Sequence, residues 1–101
     1  MRVAVVSGGT KGIGRAIAEL LLSQDFQVYI SARNEAKDFA HKNLVQCIAD
    51  LSTKEGVLAF ANFVKDQVNT IDVLVNNVGV FIPGSLIDEE DGCFETQINT
   101  N

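Results

Sequence analysis

Two kinds of apolar pattern alternate along this chain. Short runs of consecutive apolar residues, rich in valine and isoleucine, are separated by longer stretches in which apolar residues recur every three or four positions. Uninterrupted runs are typical of strands covered on both faces, as in a parallel sheet, whereas the longer spacing indicates helices that bury one face. The runs predict strands over residues 3–6, 26–31, 44–49 and 71–75.

The stretches between the runs predict four helices, over residues 13–23, 36–41, from Ser52 to about 68, and from 88 to the last residue. Ser52 and Glu55 have the spacing of a capping box for the third of these. Strands and helices that alternate in this way predict an α/β fold, here a Rossmann-type doubly wound parallel sheet with strand order 3-2-1-4. In that order the fourth strand would be an apolar edge of the sheet.

The same spacing predicts which helix faces are buried. Asp25 is expected to end the first helix in a left-handed conformation, because no glycine is available there. The residues expected to face the sheet are Ile13, Ile17, Leu20 and Leu21 in the first helix, and Val57, Ala61, Val64 and Val68 in the third.

Size, composition and charge limit the possible functions. A chain of 101 residues forms one small domain, and an apolar content of 47% is enough for a core. The net charge of −5, without a basic cluster, argues against nucleic acid and membrane surfaces as partners. No apolar run approaches the ~20 residues that a membrane-spanning helix needs, and no signal peptide precedes the first strand. We therefore expect a cytoplasmic protein.

The two cysteines indicate no special chemistry. Cys47 and Cys93 fall in separate predicted elements, and neither has a second cysteine or histidine near it in the sequence. We expect two reduced thiols and no metal site.

A glycine-rich segment follows the first strand and opens the first helix. Glycines allow a tight reversal, and they leave backbone N–H groups bare at a helix N-terminus, where a diphosphate binds well. The spacing is Gly-x-x-x-Gly-x-Gly, which fits neither G-x-x-x-x-G-K-[ST] nor G-x-G-x-x-G. The alternative is a purely structural turn. The candidate cofactor-binding residues here are Gly8, Gly9, Thr10, Lys11, Gly12, Ile13 and Gly14.

The residues after the second strand bear on the choice of nucleotide. In a βαβ dinucleotide site, an acid about 20 residues beyond the glycines takes the ribose hydroxyls of NAD. Here Arg33 stands near that position, and no carboxylate occurs between the end of the second strand and Glu35. An arginine would pair with a 2′-phosphate, and Lys11 or Arg15 could add charge. This favours NADP(H) over NAD(H), although Arg33 could also be an ordinary solvated side chain.

Polar residues follow the third and fourth strands, at the edge of the sheet where ligands of such folds bind. Asp50 could accept a hydrogen bond from an adenine amino group, or it could serve as an anion at a helix N-terminus. Asn76 and Asn77 precede Val78 and Gly79, so amide groups stand at the mouth of a buried strand with little bulk around them. The alternative for this pair is a turn that holds neighbouring loops together.

These features together resemble the short-chain dehydrogenase/reductase family, in particular its 3-oxoacyl-[acyl-carrier-protein] reductase-like members. The family's T-G-x-x-x-G-x-G turn appears with Ser7 in the threonine position, and its N-N-A-G motif appears with Val78 in place of alanine. The resemblance implies an NAD(P)-dependent oxidoreductase in which residues 8–14 hold the diphosphate and Arg33 holds the 2′-phosphate. It also places Asp50 and Leu51 at the adenine and Asn77 and Gly79 on the ribose side.

One catalytic residue is implied by the same resemblance. Asn99 matches the asparagine of the family's catalytic tetrad, which helps to position a water in a proton relay. By itself it would be interpreted as a polar residue at a helix end. The tetrad's serine and Tyr-x-x-x-Lys have no counterpart, because Tyr29 lies in a strand with Arg33 four residues later.

We therefore expect residues 1–101 to be the N-terminal cofactor-binding part of a single dinucleotide-binding domain from a longer reductase, inactive alone. The parent would reduce a carbonyl or 3-oxoacyl group, or oxidise an alcohol, on a small molecule, and the family suggests a dimer or tetramer. Two alternatives are a non-catalytic dinucleotide sensor or regulatory module and a flavodoxin-like domain that binds a mononucleotide.

Overall fold

A computed structural model describes residues 1–77 and the backbone of residues 97–99. Strands and helices alternate along most of this length, as the apolar pattern predicts. The elements are β1 (Val3–Ser7), α1 (Gly12–Ser23), β2 (Gln27–Ala32), β3 (Leu44–Ile48), α2 (Lys54–Gln67), β4 (Val73–Asn76) and β5 (Gln97–Asn99).

The strands form one parallel sheet in the order β3-β2-β1-β4-β5. The first four strands therefore have the predicted order 3-2-1-4. β1 lies between β2 and β4, and all five of its residues are buried. A strand covered on both faces needs apolar side chains in both directions, which explains its unbroken apolar run.

Side chains that alternate along the strands supply two separate cores. Val5 and Leu74 belong to the core that packs against α2, together with Phe60 and Val64 of that helix. We call this the α2-side core. The opposite face forms the α1-side core, which contains Ala4, Val6, Ala18, Leu22, Phe26, Val28, Ile30, Phe39 and Val75. Neither α1 nor α2, the two helices among the described residues, is long and apolar enough to cross a membrane.

The prediction of a fourth helix is wrong for residues 97–99, because these residues form the strand β5. Ile98 pairs with Val75 and Asn99 with Asn76, so β4 is not an edge of the sheet. The physical reason is the row of unpaired backbone groups that an edge strand exposes. Pairing with those groups outweighs a weak local preference for helix. Residues 88–96, where that helix was predicted to begin, lie outside the described residues.

The short helix predicted over residues 36–41 is also wrong. The structure has only a turn there, closed by a 3.2 Å hydrogen bond from Phe39 N–H to the Ala36 carbonyl. The side chain of Gln46 bonds to the backbone of both residues, and Phe39 is buried. These tertiary contacts satisfy the backbone groups that an isolated short helix could satisfy only after a costly nucleation.

The start of α2 differs from prediction by one residue. Thr53, not Ser52, is the N-cap, and its hydroxyl accepts a 2.9 Å hydrogen bond from Gly56 N–H. Ser52 instead donates its hydroxyl hydrogen bond to Asp50. The apolar face predicted for this helix is correct, because Val57, Ala61 and Val64 are buried and Val68 packs against the same core; Gly56 and Phe60 are buried as well.

The face predicted for α1 is half wrong. Ile13 and Leu20 are 62% and 59% exposed, whereas the buried positions are Gly14, Ala18 and Leu22. Gly14 and Ala18 lie against the sheet, so the helix approaches it closely, while Leu22 is buried and Ile17 and Leu21 pack against the same core. Asp25 ends the segment with φ of 66°, the left-handed conformation that was predicted.

Candidate functional site

The carboxyl ends of β1, β2, β3 and β4 meet at a cleft of about 1320 Å³. This is the edge at which open parallel sheets bind ligands. The cleft brings together seven of the predicted site residues: Gly8, Thr10, Lys11, Arg33, Asp50, Leu51 and Asn77. Other lining residues include Arg15, Ser31, Asn34, Glu35, Lys37, Asp38 and Ser52. Gly9, Gly12, Ile13 and Gly14 do not line it.

The glycines of the first turn have two different roles. Gly8 and Gly12 have φ of 67° and 56°, a conformation that favours glycine. Gly9 and Gly14 instead allow close packing. A Cβ on Gly9 would lie 2.5 Å from Ile30 Cγ2, and a Cβ on Gly14 would collide with the Gly8 carbonyl oxygen and lie 2.6 Å from Asn77 Nδ2. The turn therefore needs glycine at all four positions.

Ser31 holds this turn from the neighbouring strand. Its hydroxyl accepts a 2.9 Å hydrogen bond from Gly8 N–H, and its carbonyl accepts one of 3.2 Å from Gly9 N–H. The side chain is almost completely buried. Sequence reasoning missed this role, although a serine inside an apolar run is a usable signal, because buried hydroxyls require a partner.

The N-terminus of α1 has the properties of an anion site. Lys11 is the N-cap but makes no side-chain capping bond, and no acidic residue occupies the first turn. Apart from Gly12, its two chain neighbours and the adjacent backbone of α1, no atom of the described residues lies within 4 Å of a Cβ built on Gly12. Uncapped N–H groups carry the positive end of the helix dipole, and a phosphate can approach them here. The arrangement fits a diphosphate.

Asn77 lies at the cleft but is engaged with the turn. Its side-chain nitrogen donates to the Gly8 carbonyl at 3.1 Å, and its backbone N–H donates to the Ser7 hydroxyl at 2.9 Å. The Ser7 hydroxyl is also 3.3 Å from Asn76 Oδ1. These contacts join the end of β4 to the end of β1, which is the holding role considered from the sequence. Gly79, which was predicted to lie with Asn77 on the ribose side of the cofactor, is outside the described residues.

Arg33 and Asp50 lie at the end of the cleft formed by β2 and β3. Arg33 is exposed. Asp50 Oδ1 accepts hydrogen bonds from the Ser52 hydroxyl at 2.6 Å and from Ser52 N–H at 2.9 Å. These two bonds, and to a smaller extent the charge of Arg33, hold the pKa of Asp50 below its ordinary value. Leu51 is 5% exposed and belongs to the α2-side core as well as to the cleft wall.

The positive charges at the cleft are not equivalent. Arg15 forms ion pairs with Asp38 at 3.0 Å and with Glu19 at 3.3 Å, and its guanidinium lies 4.5 Å from the centre of the Phe39 ring. The hydrogen bond that Arg15 donates to the Asp38 carboxylate is the main cause of the raised pKa of Arg15. Lys11, Arg33 and Lys37 also line the cleft, and none of them forms an ion pair with another residue in the described part of the chain. They are therefore the cations available to a ligand, and Arg33 is the one that directly follows β2.

Asn99, the predicted catalytic residue, lies in a strand rather than a helix. It is the last residue of β5 and pairs in register with Asn76, so it stands at the same sheet edge as the cleft. Its catalytic role stays a prediction. Within residues 1–77 no group of histidine, cysteine or acidic side chains could hold a metal ion.

Comparison with known proteins identifies the family. A family model described as short chain dehydrogenase matches residues 2–101. The chain belongs to the short-chain dehydrogenase family. It is 31% identical to 3-oxoacyl-[acyl-carrier-protein] reductase FabG of Vibrio harveyi over 99% of the chain and 43% of that protein. It is 45% identical to inactive hydroxysteroid dehydrogenase-like protein 1 of Pongo abelii, over 81% of the chain and 27% of that protein.

Solved structures of this family share the fold. The Pseudomonas aeruginosa RhlG/NADP active-site complex matches 88% of the chain and 38% of its own, with a TM-score of 0.69 and 33% identity. An alcohol dehydrogenase from Thermococcus sibiricus, complexed with 5-hydroxy-NADP, has a TM-score of 0.71 and 31% identity over 78% of the chain and 37% of its own. The resemblance inferred from the motifs is confirmed. The chain spans less than half the length of these relatives.

Proposed function

We propose that the whole protein is an oxidoreductase that uses NADP(H) in preference to NAD(H). The observation that carries this is Arg33, which lies at the cleft directly after β2 and forms no ion pair with another described residue; Lys11 and Lys37 are further cations there without an ion pair among the described residues. A carboxylate at that position would bind ribose hydroxyls and repel a 2′-phosphate, whereas a guanidinium attracts it. NADP in the two structural relatives described above supports the same choice.

The residues of the cleft fit the parts of such a cofactor. The N–H groups of the turn over residues 8–14 would hold the diphosphate, and the guanidinium of Arg33 would hold the 2′-phosphate, aided by Lys11. Asp50 keeps one carboxylate oxygen without a hydrogen bond from Ser52, and this oxygen could accept from the adenine amino group beside Leu51. Asn77, Gly79 and Asn99 would stand nearer the ribose and the reacting end.

The reaction we propose is reduction of a carbonyl or 3-oxoacyl group, or the reverse oxidation of an alcohol. The cofactor supplies or accepts the hydride when it is bound. Tyr29 cannot act as the proton donor, because it is 5% exposed in the α2-side core and packs edge-on against Phe63. Burial also raises the pKa of its hydroxyl. We therefore propose that residues 1–101 alone turn over no substrate.

A second candidate is a non-catalytic dinucleotide-binding module. It is favoured by one observation, the 45% identity to a relative whose name includes "inactive". Such a module would keep the glycine turn and Arg33 but would need no proton donor. NADPH-dependent turnover of a ketone or 3-oxoacyl thioester by the whole protein would exclude it, and cofactor binding without turnover on a broad panel would favour it.

Cofactor preference is tested by titrating the whole protein with NADPH and NADH and following nicotinamide fluorescence. We expect NADPH to bind at least tenfold more tightly, a difference of about 1.4 kcal/mol. Arg33→Ala should remove most of that difference. Arg2→Ala is the matched control, because Arg2 stacks 4.3 Å from the Phe26 ring next to the amino end of β1, away from the cleft. Equal affinities for both cofactors in the unmodified protein would contradict the preference.

The wider setting is also a proposal. By family resemblance we propose a cytoplasmic dimer or tetramer that acts on a small-molecule substrate. Cell fractionation and sedimentation of the purified protein would check these two points.

A further inference from the structure

One side chain, that of Gln46, fastens the loop that follows β2. Gln46 lies in the middle of β3, opposite Ile30 in the sheet register. Its Oε1 accepts a 2.9 Å hydrogen bond from Ala36 N–H, and its Nε2 donates to the carbonyls of Ala36 at 2.9 Å and Phe39 at 2.8 Å. The carbonyl and both N–H groups of the amide are therefore in use.

These bonds imitate the pairing of a neighbouring strand. An amide that both donates to and accepts from Ala36 makes the two bonds that a strand residue would make in an antiparallel ladder. The third bond extends the contact to Phe39, whose side chain is buried in the α1-side core. Because all three bonds are partly shielded from water, their loss would leave Ala36 N–H and the Phe39 carbonyl without these partners, while the Ala36 carbonyl would keep its bond from Phe39 N–H.

The loop that Gln46 fastens carries Arg33. Residues 33–35 form a three-residue link between Ala32, the last residue of β2, and Ala36. The Ala32 carbonyl is fixed by a 2.8 Å bond from Ala49 N–H, and Ala36 is fixed by Gln46. From Ala32 to Ala36 the chain spans at most about 13–14 Å, so anchoring both ends restricts where Arg33 can stand. Arg33 itself forms no ion pair with another described residue.

We propose that Gln46 is a positioning residue for recognition of the 2′-phosphate. It acts through the backbone of the link and touches no cofactor atom. The inference rests on the proposed NADP(H) preference, since it concerns how Arg33 is held at the cleft. It predicts that releasing Ala36 weakens binding of the cofactor that carries a 2′-phosphate and leaves the other cofactor almost unchanged.

The test measures the dissociation constants of NADPH and NADH for the whole protein carrying Gln46→Met or Gln46→Glu. Methionine keeps the length of the side chain without its hydrogen bonds, and glutamate keeps one acceptor for Ala36 N–H but loses both donors. We expect NADPH affinity to fall about tenfold and NADH affinity less than twofold in both variants. If the methionine variant does not fold, the glutamate variant carries the same test.

Gln27→Met is the matched control. Gln27 is a residue of the same type on the neighbouring strand, and its Nε2 donates to the Asn43 carbonyl at 3.1 Å, at the far end of the same loop. Because that bond does not anchor the link, the ratio of NADPH affinity to NADH affinity should stay as in the unmodified protein. If the Gln46 variants acted through a general loss of loop structure, Gln27→Met would lower this ratio as well.

A double variant separates positioning from overall stability. In an Arg33→Ala background, Gln46→Met should change NADPH affinity less than twofold, because the group it positions is gone. Unchanged preference in both Gln46 variants, or an equal loss of both cofactors, would overturn the inference. An unmodified protein without any preference for NADPH would instead overturn the proposed function, so the two failures are distinguishable.

Discussion

The turn after β1 and the loop after β2 line the same cleft, but they are held in different ways. The turn is shaped by its glycines, which stand where φ is positive or where a Cβ would collide, and Ser31 and Asn77 add hydrogen bonds to it. The loop over residues 33–43 contains no glycine and is held by side chains from other elements, Arg15 from α1 and Gln46 from β3. The turn thus depends on the identity of its own residues and tolerates little change. The loop depends on distant contacts and can be adjusted one bond at a time.

The largest test of this contrast is Gly14→Ala. A Cβ there would collide with the Gly8 carbonyl oxygen and crowd Asn77, and Gly14 is buried. We expect the free energy of unfolding to fall by about 2–4 kcal/mol and cofactor binding to be lost. Gly12→Ala is the control, since space is open there and only its φ of 56° is unfavourable, for a cost of about 1 kcal/mol. Urea denaturation of both variants would check this, and equal costs would contradict it.

A smaller effect is expected from Asp38→Asn. It would remove the 3.0 Å ion pair between Arg15 and Asp38, so the charge of Arg15, paired then only with Glu19, would act more strongly at the cleft. NADPH should then bind about two- to threefold more tightly at low salt, and the gain should vanish in 1 M salt because the charges are exposed. The control is Glu19→Gln, which removes the 3.3 Å partner of Arg15 within α1 and leaves the loop contact intact. Weaker NADPH binding by the Asp38 variant would show that anchoring the loop outweighs the added charge.

The smallest expected effect is on the pH dependence of stability, through the hydrogen bonds of Asp50. The pKa of Asp50 is lowered from 3.8, so its hydrogen bonds contribute stability above that pH, and this contribution is lost as the pH falls through the lower folded-state value. Ser52→Ala removes the hydrogen bond from the Ser52 hydroxyl to Asp50 and leaves the one from Ser52 N–H. The variant should therefore have a slightly lower Tm than the unmodified protein at pH 6, and the difference should shrink as the pH falls below 3.8 and through the lower folded-state pKa. A difference that persists in acid would mean that Ser52 acts through something other than the carboxylate.

Much of the fold could be predicted because its signals are local. Unbroken apolar runs marked β1 to β4, and the glycine spacing marked the turn. The sequence could not indicate β5, because its pairing with β4 joins residues more than twenty positions apart. The buried face of α1 was misjudged because apolar size was taken as the guide, whereas Gly14 and Ala18 are buried for their smallness.

In the candidate site too, the features with local sequence signals could be predicted and those that depend on distant contacts could not. Lys11, Arg33 and Asp50 lie at the cleft because each comes one to four residues after a strand whose end could be located. The engagement of Arg15 by Asp38, twenty-three positions away, follows no sequence spacing. The same is true of Gln46, because the pattern of apolar residues does not indicate its three hydrogen bonds to the backbone of the loop.

The central place of β1 has a consequence for how the protein is made. Its first residue, Val3, donates a 2.7 Å hydrogen bond to the Asp72 carboxylate, and Gly8 beyond its end is held by Asn77. Because β1 leaves the ribosome before β4, it must wait for some seventy further residues before both of its sides are occupied. Until then its valines are exposed during translation, which is the interval in which a chain of this kind is open to chaperones and to aggregation.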